Sequence, residues 1–151
     1  MQLSGSRTLK APQEQLFQML LNPDVLTQVI PSLKALEVIG QDTYKAICEV
    51  KLGPVSGTFT GEMQVRDQHA PESFVLGIKQ NSKMGNVDAE GKLIFKSLEN
   101  AQTEVLFDGE AKISGLLART GQRVLSGVAN TLVDMFFKAL EKEIEKTATP
   151  S

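Results

Sequence analysis

The chain has 151 residues, a length typical of a single domain, and its apolar and charged fractions are those of a globular protein. Its 16 Lys and Arg residues nearly balance 18 Asp and Glu residues, and the absence of a basic run with interleaved aromatic residues disfavours nucleic-acid binding. With Cys48 as the single cysteine, and with no apolar stretch of the length of a signal sequence or a membrane span, the sequence predicts one cytoplasmic domain over residues 1–151.

The N-terminal segment predicts a strand followed by two short helices. Leu3–Lys10 is predicted as the strand, and Ala11-Pro12 begins the first helix because proline suits the first helical turn. Asn22-Pro23 begins the second helix in the same way, with the asparagine as its cap. Pro31 ends that helix, since the residue before a proline avoids the helical conformation.

Between residues 33 and 114 the apolar period changes from helical to alternating. In Thr43–Leu52, apolar residues alternate with mostly charged ones, which indicates a strand with one dry face. Turn signals such as Gly53-Pro54 and Asn81-Ser82-Lys83 separate successive strands. The pattern predicts an antiparallel sheet of about six or seven strands that is apolar on one side only.

After Gly115 the helical period returns and predicts one helix from Leu116 to Lys146, followed by a frayed tail over residues 147–151. Its main apolar stripe would cover the one-sided sheet, since no other element is long enough. The predicted fold class is therefore α+β, a curved antiparallel sheet wrapped round a long C-terminal helix. The stripe comprises Leu117, Gly121, Val124, Leu125, Val128, Leu132, Met135, Phe136 and Ala139.

Small residues recur on the inward face of the predicted sheet. Because protein interiors are densely packed, the missing side-chain volume must be filled by approaching backbone, by other side chains or by a ligand. One interpretation is that the glycines let strands bend; the other is an apolar ligand cavity between sheet and helix. The predicted cavity residues are Tyr44, Ala46, Cys48, Val50, Gly57, Phe59, Gly61, Met63, Phe74, Leu76, Ile78, Val87, Ala89, Leu93, Val105, Phe107, Gly109, Leu117, Gly121, Val124, Leu125 and Val128.

Two polar residues and a second apolar line on the helix add to this hypothesis. Arg7 shares the parity of the inward residues of the first strand, and Tyr44 begins an inward row, so both are candidate anchors for a ligand's polar end. The second helix line has two interpretations, a broad buried face or a surface for a partner protein or a second copy of the chain. It comprises Val133, Phe137, Leu140 and Ile144.

The sequence offers no catalytic or metal-binding set. The only histidine, His69, lies in a predicted turn, and Cys48 lies in an apolar row where a thiol behaves as a small hydrophobic group. One His and one Cys cannot supply a zinc cluster, a Ser-His-Asp set or a Cys-His pair. We therefore expect no metal, no tightly bound cofactor and no enzymatic activity.

Four groups of short segments, in their order and spacing, match a known family over nearly the whole chain. They are Leu3-Ser4-Gly5 with Ala11-Pro12; Asn22-Pro23-Asp24-Val25-Leu26 with Ile30-Pro31; Gly53-Pro54-Val55 with Gly57, Phe59 and Gly61; and Gly115-Leu116-Leu117-Ala118 through Gly121, Arg123 and Val128-Ala129 to Phe136-Phe137. Together they resemble the carbon monoxide dehydrogenase G-subunit family of the START-like (SRPBCC) superfamily. The resemblance implies a helix-grip fold with an internal cavity.

The resemblance also implies a function, a carrier or adaptor for a molybdenum-containing dehydrogenase of the carbon monoxide dehydrogenase type, in membrane recruitment or in a link to quinone. We expect a lipid or quinone as the apolar ligand and transient contact with the inner face of the membrane. A homodimer is a further hypothesis. One alternative is a cyclase- or hydratase-like enzyme that uses Tyr44, Thr103 and Arg7. Another is an assembly factor that acts through the helix face around Phe137.

Overall fold

The computed structural model describes residues 1–148 of the chain. It contains one antiparallel sheet, two short helices after the first strand and one long C-terminal helix. Along the chain the elements are β1 (Gln2–Leu9), α1 (Gln13–Met19), α2 (Pro23–Val29), β2 (Leu33–Gly40), β3 (Thr43–Leu52), β4 (Val55–His69), β5 (Ser73–Ser82), β6 (Gly85–Leu98), β7 (Gln102–Ser114), a 3-10 helix (Gly115–Thr120) and α3 (Gln122–Ala148).

The sheet has seven strands in the order β1-β7-β6-β5-β4-β3-β2. Every neighbouring pair is antiparallel, and β2 through β7 pair in chain order, as consecutive hairpins require. β1 instead pairs with β7, so β1 and β2 are the two edges of an open sheet. The predicted fold class is confirmed.

The second short helix begins as the sequence predicts, and the first begins one residue after Pro12, which was expected at its first position. The Asn22 side chain accepts a hydrogen bond from the Asp24 backbone N–H at 2.9 Å, and Pro23 occupies the first helical turn. Pro12 is the residue just before α1, in an extended conformation, and its carbonyl accepts the hydrogen bond of Leu16 at 3.0 Å. Both helices therefore start at a proline-containing turn, as expected.

The prediction of one helix from Leu116 to Lys146 is wrong at its start. A 3-10 helix covers Gly115–Thr120 and is followed by Gly121, whose φ of 100° is a conformation that residues with a side chain rarely adopt. α3 begins only at Gln122. At its other end it continues to Ala148, so residues 147 and 148 of the expected frayed tail are helical, and residues 149–151 lie outside the described part.

The buried face of α3 is rotated relative to the predicted stripe. Val124 is 40% exposed, whereas Phe137, Leu140 and Ile144 are each at most 5% exposed. The second apolar line is therefore part of the core, and the prediction that it forms a partner surface is wrong for these three residues. Helical period alone did not separate the two interpretations, because two apolar lines lie side by side on this helix.

One half of the space between sheet and helix is densely filled. We call it the aromatic end, defined by Phe17, Phe74, Phe95, Val105 and Leu140, all at most 4% exposed. The three phenylalanine rings contact one another with centroids 5.6–5.7 Å apart. This end closes the fold where α1, α2 and the C-terminal half of α3 meet the sheet.

Candidate ligand-binding cavity

The other half of this space contains an apolar cavity of about 350 Å³. That volume falls in the range of small-molecule binding sites in proteins. The sheet, the end of α2, the 3-10 helix and the N-terminal half of α3 all contribute to its walls. The lining residues are Met1, Leu3, Ile30, Pro31, Ala46, Cys48, Val50, Val55, Phe59, Met63, Ile78, Gln80, Val87, Ala89, Ala111, Ile113, Leu117, Leu125, Val128, Ala129, Leu132 and Val133.

Small side chains create the space. Ala89 on β6 lies directly opposite Ala111 on β7, and both line the cavity. Ala46 on β3 borders it from the next part of the sheet, and Ala129 faces it from α3. The side chains of these four alanines are single methyl groups, whereas the aromatic end has phenylalanine and leucine side chains. The methyl groups are too short for sheet and helix to interdigitate, so the volume between them stays open.

The inward glycines have a different role from the alanines. A side chain at Gly61 would overlap the Lys79 carbonyl oxygen, and one at Gly85 would overlap the Ser114 carbonyl oxygen. At Gly109 a Cβ would lie 3.0 Å from the Glu90 carbonyl oxygen. Both interpretations of the small residues therefore apply, since backbone fills the space at these glycines whereas the alanines border empty volume.

The structure divides the predicted cavity residues into two groups. Those that line the cavity are Ala46, Cys48, Val50, Phe59, Met63, Ile78, Val87, Ala89, Leu117, Leu125 and Val128. Their role as ligand contacts stays a prediction.

The remaining predicted positions do not line the cavity, for reasons that differ among them. Tyr44, Phe74, Leu76, Leu93, Val105 and Phe107 belong to the packed core that includes the aromatic end. Gly61 and Gly109 are covered by neighbouring strands, and Gly57, with a φ of 147°, has no atom near its missing side chain yet lies outside the lining. Gly121 separates the 3-10 helix from α3, and Val124 points to solvent.

Phe107 illustrates how packing diverts an inward residue from the cavity. Its ring lies against Gly5 on β1, where an added Cβ would come within 2.8 Å of the ring. The ring stacks on Phe137 with centroids 5.7 Å apart. Gly5 therefore makes room for an aromatic contact between the sheet and α3, and this contact places the Phe107 ring in the packed core.

Neither predicted polar anchor reaches the cavity. Arg7 pairs with Asp134 of α3 at 2.6 Å, and its guanidinium lies 5.6 Å from the centroid of the Phe137 ring. The Tyr44 hydroxyl is 3.5 Å from the Leu21 carbonyl oxygen, within the packed core. Burial, and to a smaller extent the Asp42 carboxylate, raise the pKa of Tyr44 above its ordinary value. Both residues tie elements together instead.

The polar side chain in the lining is Gln80, which sequence reasoning missed. It lies on β5 and shares the parity of the inward residues Phe74 and Ile78, so alternation alone places it on this face. Cys48 also borders the cavity, and burial raises the pKa of its thiol above the ordinary value, which keeps it neutral.

Two further features of the described residues concern metal binding and membrane crossing. No group of three or more His, Cys, Asp or Glu side chains in residues 1–148 is arranged to hold a metal ion. Over the same residues, no helix combines the length and the apolar character that crossing a membrane requires.

Solved structures identify the class of protein that this fold and cavity define. A START superfamily protein from Mycobacterium smegmatis superimposes with a TM-score of 0.77 at 14% identity, over 97% of this chain and 98% of that one. An aromatase/cyclase from a Streptomyces species superimposes with a TM-score of 0.70 at 15% identity, over 99% and 96% of the two chains. At these identities the likeness concerns the fold, which is START-like.

The family is narrower than the fold. The family model for the carbon monoxide dehydrogenase G-subunit (CoxG) matches residues 5–145. A conserved protein from Geobacillus kaustophilus is 33% identical over 97% of both chains, with a TM-score of 0.94. The chain therefore belongs to the CoxG family. A search of curated proteins found no match.

Proposed function

We propose that this protein binds and carries a lipophilic small molecule, a lipid or a quinone, without transforming it. The observation that carries the proposal is the cavity of about 350 Å³ between the sheet and α3, whose lining is almost wholly aliphatic and aromatic. Empty apolar space of this size forfeits packing contacts, and an apolar occupant restores them. Membership of a START-like family supports the same function.

Uptake of a neutral apolar fluorophore tests the proposal. N-phenyl-1-naphthylamine should gain fluorescence in the wild-type protein and lose that gain in an Ala89→Leu/Ala111→Leu variant, because both substitutions project side chains into the cavity. Ala118→Leu, an exposed position on the 3-10 helix, is the matched control and should bind like the wild type. Equal binding by all three proteins, or by none, would contradict the proposal.

A cyclase-like enzyme is the alternative of a different class, and the cavity does not favour it. It would need polar groups around the substrate, for which the sequence supplied Tyr44, Thr103 and Arg7. None of the three lines the cavity. Thr103 is fully buried and donates its hydroxyl to the Ala11 carbonyl oxygen at 2.7 Å, so it serves packing at the aromatic end.

A basic, partly apolar surface beside the cavity supports membrane contact as part of this function. Leu116 is 60% exposed and Val124 is 40% exposed, while their sequence neighbours Leu117 and Leu125 line the cavity. Arg119 and Arg123 are exposed in the same segment, and neither forms an ion pair with another residue in the described range. Exposed apolar side chains such as Leu116 and Val124, with arginine residues beside them, suit contact with an anionic lipid surface.

Vesicle flotation tests this contact. The wild-type protein should bind vesicles that contain phosphatidylserine more strongly than phosphatidylcholine vesicles, and salt should weaken the binding. Arg119→Glu/Arg123→Glu should abolish it. Lys138→Glu/Lys142→Glu makes the same charge change with the same spacing at exposed positions farther along α3, and should leave binding intact. Equal loss in both variants, or no dependence on anionic lipid, would reject this surface.

Membership of the CoxG family directs the choice of partner. We propose that the carrier serves a molybdenum-containing dehydrogenase of the carbon monoxide dehydrogenase type, by delivering a quinone that the enzyme itself reduces or by recruiting the enzyme to the membrane. In cells that contain both proteins, the cavity-blocking variant Ala89→Leu/Ala111→Leu should slow reduction of the quinone pool by the enzyme's substrate. Ala118→Leu should not. An unchanged rate with the blocked variant would contradict a role for the cavity in electron transfer.

A further inference from the structure

Gln80, the polar side chain in the cavity lining, has a hydrogen-bond acceptor without a donor. The Oε1 atom of Gln80 is buried and has no hydrogen-bond partner, and it is the only buried side-chain oxygen or nitrogen of the described residues in that state. A buried amide oxygen without a donor is unfavourable, because it has lost its hydrogen bonds to water and gained none. The position therefore calls for an explanation.

The surroundings of Gln80 explain why the protein itself supplies no donor. On the sheet it lies between Gly61 of β4 and Val87 of β6, and the preceding inward residue on its own strand is Ile78. Val87 and Ile78 are apolar, and both line the cavity. The strand N–H groups beside it take part in the antiparallel pairing of the sheet.

If position 80 only had to be filled, an apolar residue of similar size would avoid the cost of a buried oxygen without a partner. Methionine and leucine occupy comparable volume and need no partner. Thr103, a polar side chain that is fully buried, has its hydrogen bond made within the fold. Gln80 differs from it in two respects, because the residue lines the cavity and its oxygen has no partner within the fold.

We propose that Gln80 Oε1 accepts a hydrogen bond from the ligand, so that the preferred ligand is an apolar molecule with a hydroxyl or N–H group. Because Oε1 is itself shielded, the amide must turn about its terminal torsion, which is broad in glutamine, to present the oxygen to a bound donor. Phenols, hydroquinones and long-chain alcohols have this chemistry, whereas an oxidised quinone carries acceptors only. This inference rests on the proposed ligand-binding function and specifies its ligand class.

Three ligands of nearly equal size separate the hydrogen bond from apolar contact. 2-Naphthol has a donor, 2-methoxynaphthalene has an acceptor only, and 2-methylnaphthalene has neither. The wild-type protein should bind 2-naphthol about tenfold more tightly than the other two in equilibrium titrations, the effect of one well-shielded hydrogen bond. Equal affinity for all three would overturn the inference.

Substitution of Gln80 completes the test. Gln80→Met should bind 2-methylnaphthalene as well as the wild type does and lose the preference for 2-naphthol, with a melting temperature at or above the wild-type value. Gln80→Leu provides a second apolar replacement in case methionine packs poorly. A variant that keeps the preference would show that another group recognises the donor, and the inference would be wrong.

Failure of this inference is distinguishable from failure of the proposed function. If 2-methylnaphthalene binds and the donor confers no advantage, the cavity is an apolar site and only the role of Gln80 is rejected. If none of the three naphthalenes binds, both the proposed function and the inference are rejected.

Discussion

The two ends of the layer between the sheet and α3 are built from the same strands, yet one is full and the other is open. At the aromatic end the rings of Phe17, Phe74 and Phe95 contact one another, and α3 contributes Phe137 and Leu140. At the cavity the facing side chains are only methyl groups. Ala89 lies opposite Ala111 on the sheet, and Ala129 lines the cavity from the helix. Side-chain size along each strand thus decides where the fold is empty.

The difference teaches that the stability and the binding capacity of this fold are located in separate regions. The aromatic end buries large side chains at most 4% exposed, which supplies the hydrophobic stabilisation. The cavity gives up part of that stabilisation because its walls lack partner atoms on one side. Paired substitutions at the two ends therefore test the account.

The largest effect is expected from removing a ring at the aromatic end. Phe95→Ala removes a side chain that is 2% exposed and should lower the free energy of unfolding by about 3–5 kcal/mol. Phe59→Ala at the cavity should cost roughly half as much, because one side of that ring already faces empty volume. Urea unfolding measures both losses. Equal losses would show that the cavity wall is as tightly packed as the aromatic end.

Enlarging a small residue should lower stability at the aromatic end and block ligand uptake at the cavity. Ala11→Leu, at a position 1% exposed, should destabilise the protein by about 1–3 kcal/mol through overpacking. Ala89→Leu projects into the cavity and should change the free energy of unfolding by less than about 1 kcal/mol while blocking uptake of apolar probes. Thermal melts and probe fluorescence measure the two quantities. Similar destabilisation by both changes would contradict an open cavity.

The buried polar groups of the two ends should also respond differently. Thr103→Val leaves the Ala11 carbonyl oxygen without its donor and should cost about 1–3 kcal/mol of unfolding free energy. Gln80→Met removes an oxygen that has no partner and should cost little or nothing. Thr103→Ser keeps the hydroxyl and is the control for the hydrogen bond. A larger loss from Gln80→Met than from Thr103→Val would reverse the comparison.

The smallest effect concerns the reactivity of Cys48 at the cavity wall. Because burial raises the pKa of this thiol, the folded protein holds less thiolate at pH 8 than the urea-unfolded chain does. Iodoacetamide should therefore modify the folded protein more slowly, with a pH midpoint shifted upward, and a bound apolar ligand should slow it further. Since the folded state favours the neutral thiol, stability should decline as the pH rises beyond the ordinary thiol range. Equal rates in the folded and unfolded protein would contradict this placement.

Much of the fold follows from the sequence alone. The strand predicted over Thr43–Leu52 has those bounds in the structure, and the cap at Asn22 forms as expected. Both depend on local patterns, alternation in the first case and a side-chain hydrogen bond within three residues in the second. The break at Gly121 was missed because a single glycine is compatible with a helix, and the sequence does not show that its φ is positive here.

The position of the cavity could not be predicted from the sequence. Alternation shows which face of a strand a residue lies on, but not what packs over that face at each point along the strand. Phe107 and Ala111 share one face of β7, yet the first packs on Gly5 and Phe137 whereas the second borders the cavity. The contributions of Met1 and Ile30 depend on how distant segments meet. Gln80 was accessible to the same parity argument that placed Ile78, since both lie on the inward face of β5.

Methyl-resolved NMR during a titration with 2-methylnaphthalene tests the central claim most directly, since it locates the bound molecule. The account predicts intermolecular contacts to the methyl groups of Ala46, Ala89, Ala111 and Ala129, with little change at Leu16 and Leu140 of the packed core. Contacts confined to the exposed Leu116 and Val124, or no saturable change in any of these methyl groups, would contradict a ligand-binding cavity between the sheet and α3.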